Sequence, residues 1–140
     1  MQKCTKKMCC NIRGYKTKVT SIKEIIEEQK PVIIGLVETK LREQDQIEIE
    51  GYEIKRKERA GEGGGVLIAY RKSLKNITIV VREEEKNCEM LWIKMNNDKN
   101  KIRLGVIYMP QENTTDLKIL EEIYSKIGEE VQRAFKNEGL

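Results

Sequence analysis

Residues 31–37 (Pro31-Val32-Ile33-Ile34-Gly35-Leu36-Val37) form an unbroken apolar run that ends abruptly on Glu38. A run without alternation is what a strand covered on both faces requires, and such strands belong to parallel sheets. Val19, Ile22, Ile25 and Ile26 recur at helical spacing between residues 16 and 30 just before it. Ser21 and Glu24 have the spacing of a capping box, and Pro31 closes the helix. A shorter apolar run, residues 8–12, comes first and contains Asn11. Strand, helix and strand in about 30 residues predict a right-handed parallel crossover. Asn11 and Glu38 then emerge side by side at the carboxyl ends of two neighbouring strands, where open sheets place their ligand sites. A carboxylate delivered there suits a hard cation such as Mg²⁺, which takes oxygen ligands and keeps several waters.

The pattern changes after Lys40. Ile47, Ile49, Tyr52 and Ile54 alternate within a charged stretch, and Gly61-Glu62-Gly63-Gly64-Gly65 predicts a turn before an apolar strand at residues 66–70. Residues 77–81, 90–95 and 102–108 are further strands, with residues 96–100 (Asn-Asn-Asp-Lys-Asn) as a turn. Together these segments predict an antiparallel meander. Glu83-Glu84-Glu85-Lys86 is expected as a solvated turn. Leu117, Leu120, Tyr124, Ile127, Val131 and Phe135 form a stripe at three- and four-residue spacing, predicting a helix over residues 115–136.

Length bounds the chain at a single domain of 140 residues with room for a core. Charged residues make up 36%, well above the usual quarter or so, and aromatics only 5%. The 27 basic and 23 acidic side chains leave a net charge of +4, a mild bias toward polyanions. Cys4, Cys9, Cys10 and Cys88 match no zinc spacing, and the absence of histidine excludes mixed Cys/His sites. Reduced thiols in an intracellular, reducing compartment are the expectation. Cys9 and Cys10, adjacent in a strand, are expected on opposite faces. No apolar stretch reaches the length of a membrane span, so no membrane partner is expected.

Several residues carry two roles at this point. Glu38 is a metal ligand or a surface carboxylate paired near Lys40. Asn11 serves a site or caps the turn after its strand. Tyr108 is a site residue or a core tyrosine with its hydroxyl at the rim, and these are compatible. Gly63-Gly64-Gly65 lacks the Gly-Lys-Ser/Thr and following helix of a phosphate loop, so it is a tight turn. Arg56, Lys57, Arg59, Arg71 and Lys72 are expected to cluster around that turn, as a positive rim for a nucleic-acid backbone or as a solvated hairpin.

Four segments in order, Asn11-Ile12-Arg13-Gly14, Ile34-Gly35-Leu36-Val37-Glu38-Thr39-Lys40, Gly63-Gly64-Gly65-Val66-Leu67-Ile68-Ala69 and Val106-Ile107-Tyr108-Met109-Pro110, resemble the endonuclease/exonuclease/phosphatase superfamily. The wording is most similar to the apurinic-type endonuclease domain of non-LTR retrotransposons. The resemblance implies an α/β (α+β) fold, the N-terminal portion of a four-layer α/β sandwich with mixed, largely antiparallel sheets. It implies a phosphodiester hydrolase using Mg²⁺ or Mn²⁺ with DNA as partner, and a nuclear location if it serves a retrotransposon. By resemblance Glu38 is the metal ligand, Asn11 positions the scissile phosphate, and Tyr108 approaches a phosphate oxygen. Arg13 stands where many members place Asn or Asp and is assigned to substrate binding, with Arg59 and Arg71.

The family's later Gly-Asp-Phe-Asn and Ser-Asp-His segments do not occur in this sequence. The expectation is a C-terminally truncated domain over residues 1–140, inactive by itself, with self-association through the edge of an incomplete sandwich. The alternative is a non-catalytic truncated or decayed product that binds nucleic acid weakly. A phosphatase acting on lipid or nucleotide phosphates shares the same site chemistry.

Overall fold

The computed structural model describes residues 6–59, 63–85, 88–96 and 101–109, with residues 121, 122, 125, 127–129, 131 and 132 of the last segment. The chain divides into two compact units, Met1–Lys75 and Asn76–Leu140.

The first unit opens with β1 (Lys7–Asn11), α1 (Val19–Gln29) and β2 (Ile33–Val37). β1 and β2 pair in parallel, with Asn11 opposite Val37, so the predicted crossover is present. All five residues of β2 are buried, as its unbroken apolar run requires. The helix buries Ile22 and packs Val19 and Ile26 on a core of Ile12, Tyr15, Ile34, Leu36, Leu41, Ile49, Tyr52 and Leu67. It begins earlier than the Ser21/Glu24 pair suggested. Lys18 is the N-cap and makes no side-chain capping bond, which leaves Ser21 inside the first turn. Lys30, in the left-handed conformation, ends the helix and donates its N–H to Ile26 O, with Pro31 just beyond.

β3 (Tyr52–Lys57) and β4 (Val66–Arg71) form an antiparallel hairpin, and β4 also lies antiparallel to β2, giving the order β1-β2-β4-β3. The second unit holds β5 (Ile77–Glu85), β6 (Cys88–Asn96) and β7 (Lys101–Tyr108), an antiparallel meander. The expected single meander is thus divided. Its first hairpin joins the parallel pair because β4, fully buried over Val66–Tyr70, needs a partner on each side. Ile47 and Ile49 lie outside any strand, although Ile49 still reaches the core. Glu83, Glu84 and Glu85 are strand residues of β5, opposite Met90, Glu89 and Cys88, and not a solvated turn.

Met90 and Cys88 anchor a second core with Trp92, Ile107, Met109 and Ile127. Gly105 faces Trp92 across the β6–β7 pair, and its missing Cβ makes room for the indole, because a Cβ there would sit 2.6 Å from the ring. The described residues of the predicted last helix are helical; the rest of that segment lies outside the described residues. Cys9 and Cys10 are both exposed on the edge strand β1. No helix among the described residues is long and apolar enough to cross a membrane. The two sheets, one mixed and one antiparallel, agree with the fold class the sequence implied.

Candidate functional site

The carboxyl ends of β1 and β2 continue as two turns stitched to each other and to the glycine loop before β4. Ile12 N–H donates to Val37 O at 3.1 Å, Gly14 N–H to Glu38 O at 2.7 Å and Tyr15 N–H to Thr39 O at 2.8 Å. On the other side Thr39 N–H reaches Gly65 O at 3.3 Å and Lys40 N–H reaches Gly64 O at 2.7 Å. The segment around Glu38 is therefore clamped from both neighbours.

This edge gathers most of the unusual backbone in the unit. Arg13 (φ 48°), Glu38 (φ 55°) and Lys40 (φ 55°) are non-glycine residues in the left-handed region, beside Gly14, Gly63, Gly64 and Gly65 at positive φ. Each such side-chain-bearing residue costs about 1–2 kcal/mol and persists only where surrounding bonds over-determine it. The stitching supplies that constraint, and its effect is to fix how the half-buried Glu38 leaves the end of a buried strand.

Thr39 and Gly65 hold the turn closed. Thr39 is 3% exposed, and its Oγ1 accepts the Leu41 N–H at 3.5 Å. A Cβ on Gly65 would come nearer to that oxygen than the 3.0 Å that real Cβ atoms respect. Neither residue was singled out from sequence for this contact, and the only signal was a third glycine running directly into an apolar strand.

Asn11 ends β1, exposed, and its Oδ1 accepts the Arg13 N–H at 3.2 Å. It therefore does cap the turn, at the same strand end as Glu38. Arg13 is exposed on this turn, and the Lys40 chain lies beside Gly14. Arg59, two residues past β3, has Nη1 3.8 Å from where a Gly63 Cβ would stand, on the same edge of the sheet.

Arg71 does not join them. The register pairs Val66 with Val37 but Tyr70 with Ile33, so Arg71 lies at the opposite end of β2 from Glu38. Its guanidinium donates to Lys30 O. The expected cluster of five basic residues around the glycine turn is corrected accordingly, with Arg71 and Lys72 a strand length away. Arg56 also departs from the rim, because it turns inward onto the segment that follows Glu38. Tyr108 ends β7 in the second unit, directly across from Glu89, which is 1% exposed and was not picked from the sequence.

No group of three or more His, Cys, Asp or Glu among the described residues converges as a metal cage. Glu38 is a single hard oxygen donor on a rigid strand end, which suits Mg²⁺ held by one or two carboxylates, substrate phosphate and water.

A scan against family models matches residues 8–130 to the Endonuclease/Exonuclease/phosphatase family. Among solved structures, the chain is similar to a point variant of the 3′ phosphatase NExo from Neisseria bound to product DNA hairpin (14% identity, TM-score 0.50, covering 71% of this chain and 40% of that one). It is also similar to D. rerio TDP2 complexed with single strand DNA product (14% identity, TM-score 0.53, covering 87% and 53%). A humanized D. rerio TDP2 is matched at 12% identity and TM-score 0.56, covering 91% and 55%. At such identities the likeness is one of fold, and the chain spans 40% to 55% of the length of these solved chains. No curated protein sequence matches significantly. With a family model covering most of its length and a fold shared with these structures, the chain belongs to the endonuclease/exonuclease/phosphatase family.

Proposed function

We propose that the chain is the N-terminal part of a Mg²⁺- or Mn²⁺-dependent phosphodiester hydrolase acting on DNA, most like the apurinic-type endonuclease of a non-LTR retrotransposon. The observation that carries this is the left-handed Glu38 at the end of buried β2, bound through its backbone to the Asn11–Gly14 turn and followed by the glycine loop. Two solved relatives hold DNA products, which supports DNA as the substrate.

Glu38 would hold the ion. A bound divalent ion supplies charge neutralisation at the phosphate under attack. Asn11 orients a phosphate oxygen, with its side chain already ordered by the Arg13 N–H. Tyr108, in the second unit, is assigned to a phosphate oxygen by the resemblance of the segment over residues 106–110 alone; a hydroxyl donor aimed at developing charge stabilises it. Arg13 and Arg59 contact neighbouring phosphates, and each neutralised phosphate adds salt-dependent affinity. Arg71, at the far end of β4, has no part in this edge.

These 140 residues contain no histidine, and general acid–base groups contribute about 10²–10⁴-fold each. We therefore propose that the chain by itself binds DNA and does not turn it over. The test is nicking of supercoiled plasmid by the purified chain with Mg²⁺ or Mn²⁺, beside Glu38→Ala, together with DNA binding by fluorescence anisotropy. The expectation is no nicking, and divalent-dependent binding that is lost in Glu38→Ala. Nicking that disappears in Glu38→Ala would refute the inactivity. Binding that ignores both the metal and the substitution would refute the role of Glu38.

A further inference from the structure

The segment after Glu38 is fastened by one arginine that the proposed chemistry does not use. Arg56 of β3 directs Nη2 at the carbonyl oxygens of Arg42 (3.4 Å), Glu43 (3.3 Å) and Asp45. Its Nε meets Glu58 at 2.5 Å, and its side chain is only 19% exposed. The same loop is tied from another side, because Asp45 takes the Arg42 N–H at 2.8 Å and the Lys16 ammonium at 2.8 Å. The network therefore joins the turn after β1, the loop after β2 and the end of β3.

Stability alone does not explain an arginine here. Its Nη1 is buried with no hydrogen-bond partner among the described residues. A buried charged donor left unpaired is a cost that a well-packed apolar side chain would avoid. A planar guanidinium provides separate donors in a fixed fork, here Nη2 on the loop carbonyls and Nε on Glu58, so that one side chain ties the loop to the end of β3. Lysine offers a single nitrogen on a flexible stem and cannot hold the loop and Glu58 from two fixed points at once.

Resting on the assignment of Glu38 to a divalent cation, we infer that Arg56 is a positioning residue that fixes the loop over residues 41–45 and thereby the direction of the Glu38 carboxylate. Leu41, 3% exposed, anchors the near end of this loop, and Arg56 anchors the far end. Glu38 and Lys40, both left-handed, lie immediately before that near anchor. Releasing the far end removes one restraint on this strained turn, which then rests on the bonds with Gly14, Tyr15, Gly64 and Gly65, and the carboxylate samples a wider range of directions.

The test compares the whole chain with Arg56→Lys by amide hydrogen exchange and by Mn²⁺ binding followed by electron paramagnetic resonance. The expected result is faster exchange at Arg42 and Asp45, with the Leu36 and Ile68 amides of the central strands unchanged. Mn²⁺ affinity should fall by up to about 10-fold, the low end of what losing a direct partner of a metal ligand costs, because Arg56 acts through the loop. A role confined to stability would leave the metal affinity of the folded protein alone. If Arg56→Lys does not fold, Asp45→Ala opens the same loop from the Lys16 side and carries the same expectation. Unchanged loop exchange, or faster exchange with unchanged Mn²⁺ affinity, overturns the inference. A wild-type chain that binds no Mn²⁺ overturns it too, by removing the metal role of Glu38 on which it rests.

Discussion

Gly65→Ala tests how the Glu38 turn is held shut. Gly65 has φ +94°, a conformation an L-residue adopts at a cost of about 1–3 kcal/mol. The new methyl also meets Thr39 Oγ1, which is buried and cannot swing into solvent. Crowding a packed site in this way costs about 1–3 kcal/mol, and turning the hydroxyl away gives up its bond from the Leu41 N–H, worth about 1 kcal/mol. These contributions overlap, and their joint effect should be about 3–5 kcal/mol. Domains of this kind are stable by about 5–15 kcal/mol, so the loss is a large fraction of the whole. The assay is urea unfolding followed by far-ultraviolet circular dichroism, since the chain's one tryptophan, Trp92, lies in the second unit. Thr39→Ala should relieve the overlap, so Gly65→Ala made in that background should cost only the backbone share, with a coupling of about 1–3 kcal/mol. A Gly65→Ala chain within about 0.5 kcal/mol of wild type, or two fully additive substitutions, would refute the contact.

Tyr52→Phe removes the hydroxyl donated to Pro31 O at 2.5 Å and strands a buried carbonyl, for a loss of about 1–3 kcal/mol read as a lower urea midpoint. Gly105→Ala forces a Cβ to within 2.6 Å of the Trp92 ring, so the indole must move; expect a shifted tryptophan emission and a loss of about 1–3 kcal/mol. Asp45 is held below its ordinary value by the Lys16 side chain and then by the Arg42 N–H. Its tie is therefore complete above pH about 3.8, the ordinary value, and lost as pH falls through the depressed folded value; exchange at the Arg42 amide should accelerate only below that range.

What could be read from the chain was whatever local pattern decides. The run to Val37 had to be a strand covered on both faces, and the spacing of Val19, Ile22 and Ile26 had to be a helix lying on it, so the neighbourhood of Asn11 and Glu38 followed. The partner of β4 did not follow, because antiparallel pairing with β2 is a contact across some thirty residues that no local period encodes. Arg56 was expected among the basic residues around the glycine turn, and only the loop folding over it turns it inward. Arg71 was misplaced for a simpler reason. Five residues of strand at about 3.3 Å each carry it roughly 17 Å from the turn it follows in sequence. The left-handed Glu38 was beyond local reading as well, since a carboxylate adopts that conformation only when bonds from Gly14 and Gly65 on either side impose it.

Whether Glu38 is a divalent-cation ligand is best tested by titrating Mn²⁺ into the wild-type chain and Glu38→Gln, with free ion read by electron paramagnetic resonance and folding checked in parallel. One saturable site that vanishes in a folded Glu38→Gln is the predicted result. Superimposable isotherms for the two folded proteins would contradict it.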